Sequence, residues 1–577
     1  MRSQENPLKL ASFLLLTVCV VALLVVTTVR GEEPVSERLV NAANEPENWL
    51  TYNGSYESWR YSKLDQISRH NVKKLIPVWS FQPGIVDGGL QATPIVVDGV
   101  MYLTSSLNRV FAIDAATGKK IWQYYHEIGE FPSLYGTWNR GVAVGHGLVF
   151  MGTADNYLVA LDAGSGREVW KVEIENGGQC GCGITGAPLL VKDKVIIGVN
   201  GGDSAHRGYL NAFDAKTGRH VWRFWTIPGP GEPGNESWKG DSWKYGGGST
   251  WLTGSYDSDL NLLYWGVGNP AADFYGEDRE GDNLYTESII ALDPDTGKLI
   301  WYYQQIPHDV WDFDSGYEIV LLDLPYEGKK RKLIVTPHKS GYVWVLDRTN
   351  GEFLNAWSLV ENTNWIEGID RKGRLIGRNE PVVGEYKLLC PGITGGRQWN
   401  HGAYSPKTGW FYSTALEWCQ QIKAFPEKAR EGMSFFGGEF KLVPPPKEEA
   451  HSHLSAYDPV TGEHFWRYKS KYPLLASQLV TAGDLLFTGD AEGEFLALDT
   501  ETGQRLWSFQ TGSGHRGSPI TYSVNGKQYV ATPSGWGSAV AGLLPQLWPE
   551  TEYFQSGATL FVFSLANFGV SNEVRSE

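Results

Sequence analysis

The sequence predicts an all-β fold, an eight-bladed β-propeller with tryptophan-docking repeats whose ring is closed by pairing of N- and C-terminal strands. Three observations predict it. The pattern Ala-x-Asp-x-x-Thr-Gly-x-x-x-Trp recurs along the chain, and unmatched halves of it stand near the two ends. The 577 residues include 68 Gly and 24 Trp, with 13% aromatic residues, which suits many short strands, tight turns and large packing anchors. Fixed-period self-similarity means stacked units sharing a continuous core, and it overrides the several domains that length alone would suggest.

The first 31 residues are an export segment. Leu10 to Val29 is an uncharged run, preceded by Arg2 and Lys9 and followed by Glu32, Glu33 and Glu37. Such a run reads as a signal peptide, with Val29 and Gly31 at −3 and −1 of a cleavage site, or as an uncleaved anchor. Either reading places residues 32–577, the propeller domain, outside the cytoplasm. Cys19, preceded by Val18, is a poor match to a lipoprotein box.

The repeat proper extends from about residue 45 to 566. Asp65–Lys74 is expected to form a short helix, and Lys74-Leu75-Ile76-Pro77-Val78-Trp79 is the second half of a repeat with no first half. Complete copies follow: Ala112…Asp114…Thr117-Gly118…Trp122, Ala160…Asp162…Gly166…Trp170 and Ala212…Asp214…Thr217-Gly218…Trp222. Further copies end at Trp301, Trp357, Trp466 and Trp507, the one at Trp357 degenerate (Asp347…Gly351). Leu560-Phe561-Val562-Phe563-Ser564-Leu565 is a first half with no second. Pairing the two halves completes an eighth blade and hides both open edges. Within a copy, an apolar strand runs into a turn where Asp bonds its own backbone and Gly takes φ > 0. A second strand ends in Trp, whose area seals one unit against the next.

Successive repeat aspartates lie 41 to 54 residues apart, except 79 from Asp214 to Asp293 and 111 from Asp347 to Asp458. Function is expected in these interruptions. The net charge of −15 argues against a nucleic-acid partner; it suits a basic protein partner or simply solubility. Four cysteines remain after export, an even number for an oxidising compartment. Cys390 and Cys419 flank one hairpin-like excursion and are expected to pair. For Cys180-Gly181-Cys182 a small disulfide, two thiols and a redox-active pair stay open. The sequence contains no Cys-x-x-Cys-His, the attachment motif of a c-type haem.

Several segments resemble the quinoprotein alcohol dehydrogenases, the pyrroloquinoline quinone (PQQ) enzymes of the methanol and ethanol dehydrogenase type. The marks are Asn139-Arg140-Gly141, Thr185-Gly186-Ala187-Pro188, Gly246-Gly247-Gly248…Trp251, Gly266-Val267-Gly268-Asn269-Pro270 and Pro307-His308-Asp309-Val310-Trp311-Asp312-Phe313-Asp314. Each is weak alone; their order among the repeats is specific. A fold supports many functions, so the site must carry the reading. The resemblance implies an alcohol as substrate, PQQ with Ca2+ or a lanthanide as cofactors, and a c-type cytochrome as electron acceptor. The alternative is a non-catalytic propeller scaffold of the cell envelope.

The chemistry needs particular groups. PQQ carries three carboxylates and an ortho-quinone, so its pocket requires cationic groups, hydrogen-bond donors and flat walls. A hard cation with oxygen ligands polarises the quinone, and a carboxylate takes the alcohol proton. By resemblance Asp312 is that base. On an extended segment Asp312 and Asp314 share a face, so both are expected on one cation, a second Asp being the mark of the lanthanide branch. Asn269 matches a metal-binding Asn, and Asp203 stands where Glu is usual. Arg140, Thr153, Thr185, Gln91 and Gln398 match cofactor contacts, Trp251 the stacking floor, and Lys339 a basic residue at the quinone.

There are departures. The family's best-known members carry a vicinal disulfide before Asn-Arg-Gly, where this chain reads Leu134-Tyr135. Gln91 and Gln398 replace Glu and Asn, and Leu475 replaces a Trp. These changes imply a relocated substrate pocket. Cys180 and Cys182, close before Thr185, are candidates to lie near the cofactor and partly replace the lost disulfide.

Overall fold

The computed structural model describes residues 35–129 and 136–566. Residues 1–31, where an export segment is expected, and Leu134-Tyr135 lie outside the described residues. Among the described residues the regular structure is mostly β, with α-helix confined to Val35–Val40, Gly177–Cys180 and Ala539–Leu543. Asp65–Lys74 holds only a 3-10 turn, Val72–Lys74. Its backbone groups are claimed from outside: Ile67 N–H donates to the Gln528 side chain (2.8 Å) and Arg69 N–H to Gly483 O (2.9 Å). An α-helix would need those groups for itself.

Among the described residues, eight antiparallel sheets carry the repeats. In chain order they span residues 95–125, 143–173, 189–225, 255–304, 320–358, 403–470, 479–510 and 520–565. Seven have four strands; that of 479–510 gains Tyr61–Ser62 as a fifth, parallel to Leu479–Thr481. The last sheet takes Leu75–Phe81 as its outer strand, antiparallel to Thr559–Leu565 with Leu75 opposite Leu565 and Phe81 opposite Leu560. The two half-repeats of the sequence thus meet.

The turn chemistry is as the repeat requires. Asp114 Oδ1 accepts Thr117 N–H (2.8 Å) and Thr117 Oγ1–H (2.7 Å), and Gly118 follows at φ +76°. A Cβ on Gly118 would lie 2.6 Å from the Trp79 ring of the neighbouring sheet. The same contact links Trp122 to Gly166, Trp170 to Gly218, Trp222 to Gly297, Trp301 to Gly351, Trp357 to Gly462 and Trp466 to Gly503. Trp507 meets Phe563 edge-on at 5.3 Å. Several of these indoles also donate to the residue after the next repeat Asp, as Trp122 does to Ala163 O (2.9 Å) and Trp466 to Thr500 O (2.9 Å). Each ring buries roughly 150–250 Å2, on the order of 4–6 kcal/mol per seam before entropy.

Gly118→Ala should therefore cost more than about 1 kcal/mol, since a positive φ and a packed ring both oppose the methyl. Gly147→Ala has the same backbone demand (φ +73°) and open space around it. Equal losses for the two in urea melts would show that the Trp79 contact contributes nothing.

The long interruptions form additional structure. Lys387–Leu389 pairs with Cys419–Ala424, which pairs with Gly438–Val443. This pairing sets Leu389 opposite Gln420, and Cys390 and Cys419 form the expected disulfide. Cys180 and Cys182 are also joined.

Candidate active site

A cavity of about 170 Å3 is lined by Arg140, Thr185, Asp203, Trp251, Asn269, Asp314 and Gln398 of the residues singled out in the sequence; only Trp251, Asn269 and Gln398 of these fall in the two interruptions, so the site is not confined to them. Arg140 is almost fully buried, its guanidinium 5.1 Å from the Trp251 ring centre and 4.4 Å from that of Trp399. Burial pulls it down to about 10, still protonated at neutral pH. Its Nε and Nη1 have no hydrogen-bond partner. Arg516, on the same wall, lies 5.2 Å from the Trp399 ring, and burial lowers it to about 9. Two buried cations with free donors around an aromatic slot suit a flat polyanion.

The Trp-Asp-Phe-Asp segment is built by alternation. Trp311 and Phe313 are fully buried and pack on Trp365, at 5.2 and 5.1 Å between ring centres. Asp312 and Asp314 meet Lys339, whose Nζ donates to Asp312 Oδ2 (3.0 Å) and Asp314 Oδ2 (3.2 Å). Asp312 takes φ +60°, uncommon for a residue with a side chain. Asp309 holds it there by accepting the N–H groups of Trp311 (3.2 Å) and Phe313 (3.1 Å). Lys339 is fixed through its neighbour: the His338 ring bonds Ser315 Oγ (2.9 Å) and Glu287 Oε2 (2.9 Å) through Nε2. Burial and the Lys339 charge lower His338 to about 3, so the ring is neutral.

Oxygen atoms gather beside this segment. Asn269 Nδ2 donates to Asp203 Oδ1 (3.1 Å) and to Asp273 Oδ1 (3.0 Å). One carboxylate oxygen from each of Asp203, Asp273 and Asp312 lies within 4.8 Å of the others. Asn269 Oδ1, Asp273 Oδ2 and Asp312 Oδ1 are buried without hydrogen-bond partners. Burial raises Asp203 to about 6, helped by the charge of Asp314. Burial, then the charges of Asp203 and Asp312, hold Asp273 well above the usual carboxylate range. Asp312 is also raised by burial; the Lys339 ammonium opposes this, while Asp203 and Asp314 add to it. Lys339 loses basicity to burial, yet the charges of Asp312 and Asp314 leave it well above its ordinary value. Unsatisfied buried oxygens in such number fit a hard cation, which takes oxygen ligands at about 2.3–2.6 Å.

Not every expected residue meets here. Asp314 faces Lys339 and accepts from Trp251 Nε1 (3.1 Å), and is outside the converging carboxylate group. Thr153 is off the cavity wall, its hydroxyl accepting Tyr157 N–H (2.8 Å). Gln91 is also off the wall; its Nε2 donates to Gly88 O (3.1 Å). The Cys180–Cys182 disulfide does not line the cavity either. It packs behind Gly201, a wall residue, with Cys182 Sγ 3.9 Å from Tyr209 OH, so it is no cap on the described wall. Leu475 is buried with Trp418, Trp536 and Val540, and Val540 reaches the wall.

Three residues at the site were missed in the sequence. Asp273 stands four residues after Asn269 in the same interruption, and Trp399 directly follows Gln398, so both carried a positional signal. Arg516 lies beyond the last repeat Trp, outside either interruption, and carried none.

An aromatic slot with buried guanidinium groups, set against a cluster of unpaired oxygens in a repeat-built β scaffold, describes a quinone-dependent dehydrogenase. Residues 49–363 and 469–530 match the family described as glucose/ethanol/alcohol dehydrogenase, β-propeller domain. The chain is 37% identical over 556 residues to the quinoprotein alcohol dehydrogenase PedH of Pseudomonas putida, covering 92% of this chain and 93% of that one. It is 39% identical over 554 residues to a quinohemoprotein alcohol dehydrogenase of Comamonas testosteroni, covering 91% and 77%. A europium-containing methanol dehydrogenase superposes with a TM-score of 0.85 at 33% identity, over 92% of this chain and all of that one. The chain belongs to the PQQ-dependent quinoprotein alcohol dehydrogenases, and its fold is their β-propeller.

Proposed function

We propose that this chain oxidises a primary alcohol, or a polyol or sugar, to the carbonyl compound outside the cytoplasm and passes the electrons to a c-type cytochrome. We read the eight sheets as eight blades of one ring. The Trp–Gly contacts that run from sheet to sheet, and the Trp507–Phe563 contact beside the shared last sheet, support that reading. The given sequence holds no haem attachment motif, in keeping with a separate electron carrier.

The observation that carries the catalytic reading is Asp312 Oδ1, a buried oxygen without a partner, its sister oxygen held by Lys339; neither residue is on the cavity wall, but the Asp312 carboxylate lies within 4.8 Å of that of the wall residue Asp203. Asp312 takes the alcohol proton at Oδ1. Lys339 orients the carboxylate and balances its charge, and Asp309 fixes the backbone that presents it. Arg140 and Arg516 hold the cofactor's anionic groups with their free donors, Trp251 gives it a flat floor, and Thr185 and Gln398 complete the polar wall. Gln91 and Thr153, behind the wall, are proposed to reach the cofactor when it is bound. Asn269, Asp203 and Asp312 would hold Ca2+ or a lanthanide, with Asp314 turning from Lys339 to join them. When bound, PQQ supplies the two-electron acceptor and the cation draws electron density from its quinone.

Reconstitution tests this. The purified protein is loaded with PQQ and either calcium or a light lanthanide, and dye reduction is followed with a panel of alcohols and sugars. Alcohol-dependent reduction is expected. Absence of quinone binding with either metal would favour the scaffold reading instead. Activity with calcium but not with a lanthanide would remove Asp314 from the ligand set.

A further inference from the structure

We propose that Asp273 is a direct ligand of the cation, making a three-carboxylate and one-amide set with Asp203, Asp312 and Asn269 that selects a trivalent over a divalent ion. The proposal rests on the quinoprotein reading above and adds a residue to it.

Three observations converge on Asp273. It is fully buried, and its Oδ2 has no hydrogen-bond partner. Its carboxylate shares with those of Asp203 and Asp312 a cluster no wider than 4.8 Å. Oxygens on opposite sides of a calcium-sized ion stand at most about 5 Å apart, so one ion can touch all three. The Asn269 amide group sits between Asp203 and Asp273, bonding both through Nδ2 while its own Oδ1 stays unpartnered. Asp273 is delivered by the loop that follows the Leu262–Val267 strand, on the Asn269 side of the cluster.

Charge selects the ion. Lys339 pairs with Asp312 and Asp314, whereas among the described residues the carboxylates of Asp203 and Asp273 have only the neutral Asn269 amide as hydrogen-bond partner. Asp273, buried, and Asp203, half-buried, have no direct ion pair, which is costly in the metal-free protein and favourable to a small ion of high charge. Asp273 therefore contributes more to the binding of a 3+ ion than of a 2+ ion.

The test uses full-length protein carrying PQQ, stripped of metal and titrated calorimetrically with La3+ and with Ca2+, alongside Eu3+ luminescence lifetimes in H2O and D2O to count bound waters. Asp273→Ala is expected to weaken La3+ by at least roughly 100-fold, the upper end of what partners outside the coordination sphere cost. It should also admit extra water to Eu3+. Asp273→Asn, isosteric and neutral, should weaken La3+ more than Ca2+ and narrow the gap between them; it carries the test if the alanine variant does not fold. La3+ affinity within about twofold of wild type, with an unchanged Eu3+ water count, would overturn the assignment while leaving the quinoprotein reading intact. If the wild-type protein binds neither La3+ nor Ca2+, both readings fall together.

Discussion

Asp312→Asn is expected to leave the protein folded and able to bind PQQ while lowering kcat by roughly 10²–10⁴-fold, the range for removal of a general base. Asn keeps the volume of Asp but cannot take the alcohol proton at Oδ1. The fold tolerates the change because Lys339 keeps its second partner, Asp314 at 3.2 Å, and because the repulsion of Asp312 with Asp203 and Asp314 disappears. The left-handed backbone at residue 312 is also compatible with Asn, which tolerates that region better than most side chains. Pre-steady-state dye reduction with PQQ-loaded variant, beside its melting curve, makes the measurement. Turnover within a few-fold of wild type, with an intact melting curve, would rule out Asp312 as the base.

The second large effect concerns the cation and pH. Chelation should abolish turnover and lower the melting temperature at neutral pH. A ligand present at 1,000 times its Kd stabilises by about 4 kcal/mol, and that is what chelation removes. The sign of the pH dependence follows from Asp203, raised to about 6 against an ordinary value of 3.8. In the metal-free protein the folded state binds more protons than the unfolded state between about 4 and 6. Metal-free stability therefore rises as pH falls through this window, and the penalty is complete above it. Cation binding needs the ionised carboxylates, so affinity falls over the same window. The gap in melting temperature with and without chelator should be widest near pH 7 and nearly closed at pH 4. A gap that is constant with pH would separate the cation from these carboxylates.

Much of the architecture was legible in the sequence because the repeat is local. Asp114, Thr117 and Gly118 settle one turn within five residues, and Trp122 ends the following strand at a fixed offset. The reading failed at Asp65–Lys74, where a helical segment was expected. That segment's N–H groups are taken by Gln528 and Gly483, distant in sequence, and no local pattern reports such partners.

The site divides along the same line. Asp312, Arg140, Trp251 and Asn269 were reached through the resemblance, each by a short motif, and the structure brings them to one region. Asp273 was not reached, since an acidic residue in a polar loop looks like solvated surface until the fold buries it. Asp314 shows the opposite case. Its spacing from Asp312 does bring both to one partner, yet that partner here is the ammonium of Lys339.

By itself, then, the sequence determined the repeating β unit, the meeting of its two terminal halves, the Cys390–Cys419 pairing and part of the cavity wall. These depend on turn chemistry and hydrophobic alternation, which act over a few residues. Only the tertiary structure decided which oxygens lack partners, which carboxylates share a centre and that Cys180–Cys182 lies behind the wall. Those are properties of burial and of distances under 5 Å between loops from different sheets, and they exist only once the chain is folded.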